Sequence, residues 1–375
     1  MSLYIDLTEF LASLRRSGIE RISGEICKHA PAESLIPIRH NSDRYLSLPV
    51  PLINLVGKYF RDNSGSEASE IRRLAAVDSG LPLKVSKNDI ILVPEIFAGP
   101  RAEFFRQMPE QELQRYRFIV YDLLPATHPE YFPPDLPLIL SQYFRIVRRA
   151  TCCAFISEYT RDVYIQRLKR TDRTDGEVLS LGSDALGPKA GRPLLNRPLT
   201  FSVLGTIEPR KNHELILEAV EPLLGKVEGL SLSFIGKMGW VDPDFARKVE
   251  ALASDKNSGF RFFPSPSDDM IRSHIEQSRA TIYVSAAEGY GLPPVESLWL
   301  GTPVIASKMN PSLVRLGDQG IHYVDPLTVM NLRRAILEFL DDDYANRKTE
   351  QISSLNLPTW RSFTEEVLRW CGHDS

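Results

Sequence analysis

Cysteine is scarce in this 375-residue chain: Cys27, Cys152, Cys153 and Cys371 are the whole set. None stands at CxxC or other metal-ligand spacing, so no metal centre is expected from them. Two sit inside an apolar run, TCCAFIS, and read as reduced core thiols of a cytosolic protein. No stretch of about 18 uncharged apolar residues occurs, so a membrane-spanning helix is not expected, although the protein could lie on a membrane. The opening MSLYIDLTEFLASLRRSG lacks the basic start, apolar run and small-residue cleavage site of a signal peptide. Neither sign of charge dominates. Lys and Arg total 45 against 48 Asp and Glu, a formal charge of −3, which argues against a surface built throughout to grip nucleic acid. Internal repeats and low-complexity tracts are also missing.

What is present is enough apolar residue, 43% of the chain, to build two cores of ordinary domain size. From residue 200 onward short apolar runs alternate with helical patterns: FSVLGTI, HELILEAVEPLL, SLSFIG, DFARKVEALAS, GFRFF, SDDMIRSHIEQS, ATIYVSAA, PPVESLWLG, TPVIAS, GIHYV and VMNLRRAILEFL. Parallel strands are buried on both faces and need a crossover between them, so this alternation predicts an α/β domain with a parallel sheet. The first half repeats the theme less regularly. SLYIDL, NDIILVPEIF, RFIVYDLLP, TCCAFIS and EVLSLGS are its candidate strands, and QELQRY, LILSQYFRIVRRA and TRDVYIQRLKR its candidate helices, the last capped by Ser157. Glycine, proline and cations crowd the stretch GPKAGRPLLNRPL, 187–199, without periodicity, which predicts a linker there. The expected domains are 1–190 and 196–355, with a final helix over 358–373 packing back on the first.

In open parallel sheets ligands bind outside the carboxyl ends of the strands, so the loops after FSVLG, SFIG, RFF and YVSAA should share an edge. LGTIEPRKNH brings Arg210 and Lys211 beside Asn212, a candidate helix N-cap, and FIGKMGW brings Gly236 and Lys237. Cations beside helix N-termini suit an anion of more than one charge. The stretch AAEGYGLPPVESLWLG, 286–301, places Glu288 and Glu296 on either side of a Gly/Pro turn. Gly289 and Gly291 let backbone amides approach a ligand, and proline suits a first helical turn. Carboxylates accept paired hydrogen bonds from vicinal hydroxyls, so one glutamate can hold a sugar and the other a ribose, with the diphosphate between them. The ligand expected is a nucleoside diphosphate sugar.

AAEGYGLPPVESLWLGTPVIAS resembles the E-x7-E stretch of retaining glycosyltransferases of family 4, and LGTIEPRKNHELILEA is similar to their diphosphate-binding loop. The resemblance is fullest over 200–340 and thinner over RRSGIERIS (15–23), VYDLLPATHPEYF (120–132) and FISEYTRD (155–162). It implies the GT-B fold, two facing Rossmann-like domains with the active site between them. It further implies that Glu288 contacts the transferred sugar, that the amides from Gly289 through Tyr290 and Gly291 to Leu292 meet sugar and phosphate, and that Glu296 binds the ribose. Lys211 with Arg210 would neutralise the leaving diphosphate, beside Gly205. Gly18 would face the phosphates from the first domain, and Asp122 would lie near the reacting carbon or the acceptor hydroxyl. No cofactor or metal ion is implied, and the anomeric configuration is kept. Thr206 stands where many relatives carry arginine, and Arg315 where an acid is common, so no role is carried to the loop NPSLVRLGDQG.

VYDLLPATHPEYF and GTIEPRKN resemble the mannosyl-transferring members that build bacterial surface polysaccharides, which implies GDP-mannose as donor and a glycan or lipid-linked glycan as acceptor. The rival readings are a sugar-nucleotide epimerase of the same fold, a phosphorylase, and a binding scaffold without turnover. Asp242 and Asp244 in WVDPDFA read as a helix start rather than a DxD metal motif, and His128 as a surface or packing residue. VRRA (147–150) and RLKRTDR (167–173) are solvated helix faces by default, or contacts to an anionic membrane surface. LSLPVPLINLVGKYF, 46–60, reads as a buried helix with its lead-in loop, or else as an interfacial segment.

Overall fold

Six short runs between residues 200 and 323 are rich in Val, Ile and Phe, and the four that become inner strands are almost wholly buried. They assemble into one parallel sheet. The computed structural model describes residues 2–16, 18–41, 44–61, 66–76, 83, 85–168, 176–191 and 194–372. Among these, strands β1 (Leu3–Asp6), β2 (Ile36–Asn41), β3 (Arg44–Ser47), β4 (Ile90–Val93), β5 (Tyr116–Val120), β6 (Cys153–Phe155) and β7 (Glu177–Val178) form one sheet in the order β3-β2-β1-β4-β5-β6-β7. Strands β8 (Thr200–Leu204), β9 (Ser231–Ile235), β10 (Phe260–Phe263), β11 (Ala280–Tyr283), β12 (Val304–Ala306) and β13 (Ile321–Tyr323) form a second, in the order β10-β9-β8-β11-β12-β13. Every pairing is parallel except β2 with β3.

The chain divides into two units, Met1–Gly182 with Pro358–Ser375, and Ser183–Leu357. The division falls before the stretch expected to be a linker. Residues 187–199 belong to the second unit because Arg197 is buried there, donating to the carbonyls of Glu276 (3.0 Å) and Gly301 (2.7 Å). Lys189 likewise donates to the Leu355 carbonyl at 3.1 Å. Desolvating a guanidinium is costly unless its donors find acceptors, and these carbonyls, with Thr349 Oγ1 at 3.4 Å, supply three.

In the second unit both sheet faces are covered. Val203 and Phe234 pack with helix residues Ile216, Val220 and Leu332 and with Phe339 just past a helix end, while their neighbours Leu204 and Ile235 pack on the other face with Val295 and Leu298. The alternation follows from the two-residue repeat of a strand. Asp242 caps the helix Pro243–Ser254 by accepting from Asp244 N and Phe245 N, which gives WVDPDFA its structural role.

In the first unit Phe97, Phe105, Phe118, Tyr143 and Phe155 form an aromatic core. The run from residue 46 supplies the helix Pro51–Arg61, which buries Leu52, Val56 and Phe60. The C-terminal helix Trp360–Trp370, started by a Thr359/Ser362 capping box, packs on the helix Gly18–His29. Gly182 fits beneath it because a Cβ there would stand 2.3 Å from Trp360 N. At the carboxyl ends of β1 and β4 the buried Arg101 pairs with Asp6, with Glu95 at 3.0 Å and with Glu9 at 3.1 Å. Glu95 also accepts Glu9 N and Phe10 N, and so fixes the start of the helix Thr8–Ser13. No local pattern points to this cluster, whose members lie up to 95 residues apart.

Candidate functional site

The loops after β8 and β11, adjacent strands of the second sheet, meet at the carboxyl edge through Arg210. Its Nη1 lies 2.6 Å from Glu288 Oε1 and 3.0 Å from the Ala287 carbonyl, and its Nη2 lies 2.7 Å from Glu208 Oε1. The backbone joins too, Ala286 N donating to Arg210 O at 2.7 Å. Asn212 does not cap the helix His213–Val220 with its side chain as expected. It sits in the left-handed region at φ 56° and its Nδ2 donates to Val284 O at 2.7 Å, a third tie between the two loops. Expected site residues Arg210, Lys211 and Glu288 are thus brought together.

Lys211 lies over Gly205. The backbone there has φ +116°, which favours glycine, and a Cβ at position 205 would stand 2.5 Å from Lys211 Nζ and push that side chain aside. Gly236 backs directly onto Gly205, with its Cβ position 2.2 Å from the Gly205 carbonyl oxygen. The loops after β8 and β9 are joined by Ile207 N to Lys237 O (2.8 Å) and Gly239 N to Ile207 O (3.0 Å). The Lys237 side chain, by contrast, is exposed. Lys211 is only 18% exposed and stands 3.6 Å from Glu208 Oε1. Burial, then the charge of Arg210, lowers its pKa, against the opposing pull of Glu208 and Glu288. His213 is buried with neither ring nitrogen hydrogen-bonded, edge-on to Phe234. Burial first, and the neighbouring cations Lys211 and Arg210 next, push it down to about 3, so it is neutral at ordinary pH.

The glycine turn is shaped by a loop to which the sequence assigned no role. Ser312 N donates to Tyr290 O at 2.8 Å and Ser312 Oγ to Gly291 O at 2.7 Å, while the buried Asn310 ties that loop to Tyr283 O. In a trans peptide the N–H points opposite its C=O. Engaging these two carbonyls therefore turns the N–H groups of Gly291 and Leu292 away from Ser312. Gly291, at φ 88°, is the N-cap of the helix Leu292–Trp299. Pro293 and Pro294 lack N–H groups, so the amides of that helix start are concentrated at Gly291 and Leu292. Glu288 lies before the turn, where Oε1 also accepts from Ser285 Oγ at 2.9 Å. Glu296, the fifth residue of the helix, is buried near Tyr283, whose pKa is raised by burial and then by the Glu296 charge.

In the first unit Asp122 follows β5, partly buried, and its Oδ1 accepts Leu124 N at 3.2 Å. Burial and then the Asp122 charge raise the pKa of Tyr159. Gly18 is the first residue of the helix Gly18–His29. Tyr121, beside Asp122, donates to Pro94 O at 2.6 Å and approaches Ile19 O at 3.3 Å, which holds that helix start at the same sheet edge as Asp122. His128 is engaged locally, Nδ1 standing 2.9 Å from Thr127 Oγ1 with the ring stacked on Tyr131. Of RLKRTDR, residues 169–173 lie outside the described residues. Arg149 of VRRA donates to the carbonyls of Phe105, Arg106 and Met108, a structural role.

Residues that sequence reasoning passed over are Glu208, Asn310, Ser312 and His213. Only Glu208 carried a signal, its place in the string EPRKN.

Residues 191–354 match the family model of glycosyl transferases group 1. Over 313 residues, 77% of this chain, the sequence is 26% identical to a serotype-specific mannosyltransferase WbdA of Escherichia coli, of whose length the match spans 37%. It is 27% identical over 242 residues, 62% of each chain, to an O-antigen chain mannosyltransferase B of the same organism. The structure of a sucrose-phosphate synthase from Thermosynechococcus elongatus superposes with a TM-score of 0.64 over 98% of both chains, at 14% identity. That likeness shows the fold, which is GT-B.

Proposed function

We propose that this chain, which carries a group 1 glycosyl transferase domain on the GT-B fold, moves a hexose from a nucleoside diphosphate sugar to a glycan or lipid-linked glycan acceptor. The observation that carries the reading is the joint at Arg210. One guanidinium holds Glu288 within electrostatic reach of Lys211, next to a glycine turn whose Tyr290 and Gly291 carbonyls are held by Ser312.

Breaking the bond from the anomeric carbon to the diphosphate leaves negative charge on the departing oxygens. Lys211 Nζ, Arg210 and the amides of Gly291 and Leu292 meet that charge, each donor worth about 3 kcal/mol at the barrier. Lys211 does so with its charge partly desolvated, which strengthens the attraction. Glu288 accepts hydroxyls of the departing sugar, and Glu296 those of the ribose. The acceptor hydroxyl attacks from the face the diphosphate leaves, with retention, and its proton passes to a donor phosphate oxygen or to Asp122. Because cations and amides carry the leaving-group charge, the step needs no metal ion.

Both named relatives are mannosyltransferases, which supports mannose as the hexose and GDP-mannose as the donor, in polysaccharide synthesis. Contact with an anionic membrane surface is supported by the helix Leu136–Arg149. Leu138 is 74% exposed there and Ile139 46%, ahead of the exposed Arg145 and Arg148. No helix among the described residues is long and apolar enough to cross a membrane.

The test is a screen of nucleotide sugars by thermal shift followed by a transfer assay in the presence of a chelator. The expected result is stabilisation by GDP-mannose and mannose appearing on a glycan with its anomeric configuration kept. Release of an isomer without acceptor would make the protein an epimerase, and tight binding without any turnover would make it a scaffold.

A further inference from the structure

The helix Leu292–Trp299 starts at the glycine turn and ends, eight residues and about 12 Å later, at a separate cavity of about 270 Å³ within the second unit. Its walls are Trp299 and Leu298 at the end of that helix, Lys189 and Ala190 before β8, and Ile352 and Ser353 after the helix Asp342–Gln351. None of these residues belongs to the site already described.

The cavity is held open. Trp299 Nε1 donates to Gly187 O at 2.9 Å and Ala190 N donates to Trp299 O at 3.3 Å, which fix the indole and the facing strand of chain. Lys189 lies over the indole, Nζ 5.9 Å from the ring centroid, and is anchored on Leu355 O. Gly301, at φ +75°, lets Ala190 approach, since a Cβ there would stand 3.2 Å from Ala190 Cβ, and its carbonyl is bound by the buried Arg197. Small residues at 190, 191 and 301 leave the space unfilled.

We propose that this cavity is a second carbohydrate site, which holds one pyranose of a glycan away from the transfer centre. A pyranose ring has an apolar C–H face and a rim of hydroxyls. Trp299, Leu298 and Ile352 line the cavity with apolar surface for the first, and Lys189 brings donors for the second. Ser353 Oγ, which donates to Glu350 O at 2.7 Å, keeps its oxygen as an acceptor. The lining contains no carboxylate, so a cationic ligand finds no partner. The volume is just below the usual small-molecule range of roughly 300–1,000 Å³, which suits a single ring. The choice of a glycan rests on the function proposed above; the cavity and its chemistry do not.

Saturation-transfer NMR with mannotriose tests it, comparing the full chain with Gly191→Phe and Trp299→Phe. No neighbouring atom lies within 4 Å of the Cβ position at Gly191, so the larger side chain enters open space and leaves the fold intact. The expected result is mannotriose binding by the unaltered chain, weakened about tenfold or more in Gly191→Phe, with the thermal shift given by GDP unchanged. Gly191→Phe should also shorten polymeric products without slowing turnover of a short acceptor. Undiminished binding in Gly191→Phe, or no mannotriose binding by a chain active in transfer, would overturn the second site and leave the transferase standing. Binding that depends on Gly191 and Trp299 in a chain without transfer activity would do the reverse.

Discussion

Arg210 and Glu288 form an ion pair of 2.6 Å that joins the loop after β8 to the loop after β11. The two residues are 78 positions apart in sequence, and the pair sets where both the cations and the glycine turn stand. Arg210 reaches Glu208 with its other terminal nitrogen, so the guanidinium is held between two acids. A fixed cation costs little reorganisation when charge develops nearby, which is the condition for electrostatic catalysis.

Replacing Glu288 by alanine removes one of those acids and the proposed sugar contact. Arg210 keeps Glu208 and the Ala287 carbonyl, so the unit stays folded. The expected loss in kcat is about 10²- to 10³-fold, with circular dichroism and Tm near those of the unaltered protein. Turnover within a few-fold of normal would remove Glu288 from the site.

Gly205→Ala should act on stability and catalysis together. The φ of +116° is strained for any L side chain, at a cost of about 1–3 kcal/mol, and the new methyl would displace Lys211 Nζ from 2.5 Å away. Urea unfolding reads the first effect. A kcat lowered beyond what the remaining folded fraction explains reads the second.

The neutral His213 predicts a particular acid sensitivity. The unfolded chain takes up a proton below the ordinary histidine value of 6.5, whereas the native state does so only near 3. Between those values the unfolded state binds more protons, so this group's contribution is lost as pH falls, by at most about 1.4 kcal/mol per unit. Unfolding of the protein and of His213→Phe at pH 7 and pH 5 checks it. The variant should lose less stability on acidification; equal losses would mean that His213 titrates normally.

The exposed Leu138 and Ile139 give the membrane proposal a direct test. Sedimentation with vesicles rich in anionic lipid should carry the protein down, less so at high salt. The double change Leu138→Glu, Ile139→Glu should abolish this while leaving donor binding intact. Sedimentation unaffected by these changes would place any membrane contact elsewhere.

Much of the second unit is legible in sequence because a parallel sheet buried on both faces needs uninterrupted apolar runs, and β8 to β13 supply them at regular intervals. β2 and β3 were missed for the opposite reason. IRHN and RYLS mix charged and apolar residues, as strands near a sheet edge can, and their antiparallel pairing depends on the partner rather than on local pattern. The stretch 187–199 has linker composition, yet Arg197 is buried by carbonyls about 80 to 100 residues away in sequence, which no local rule reports. The same holds at the site. Glu288, Glu296, Arg210 and Lys211 were visible as residue types at suggestive spacings. That Arg210 selects Glu288 and Glu208, that Asn212 ties loops instead of capping a helix, and that Ser312 orients the glycine turn are matters of long-range geometry.

A crystal structure of the complex with an intact GDP-mannose tests the central claim most directly. The expected result places the diphosphate within hydrogen-bond distance of Lys211 Nζ and of the Gly291 or Leu292 amide, with Glu288 on the mannose hydroxyls and Glu296 on the ribose. A donor bound with its diphosphate away from Lys211 and the glycine turn, and both glutamates off its hydroxyls, would contradict it.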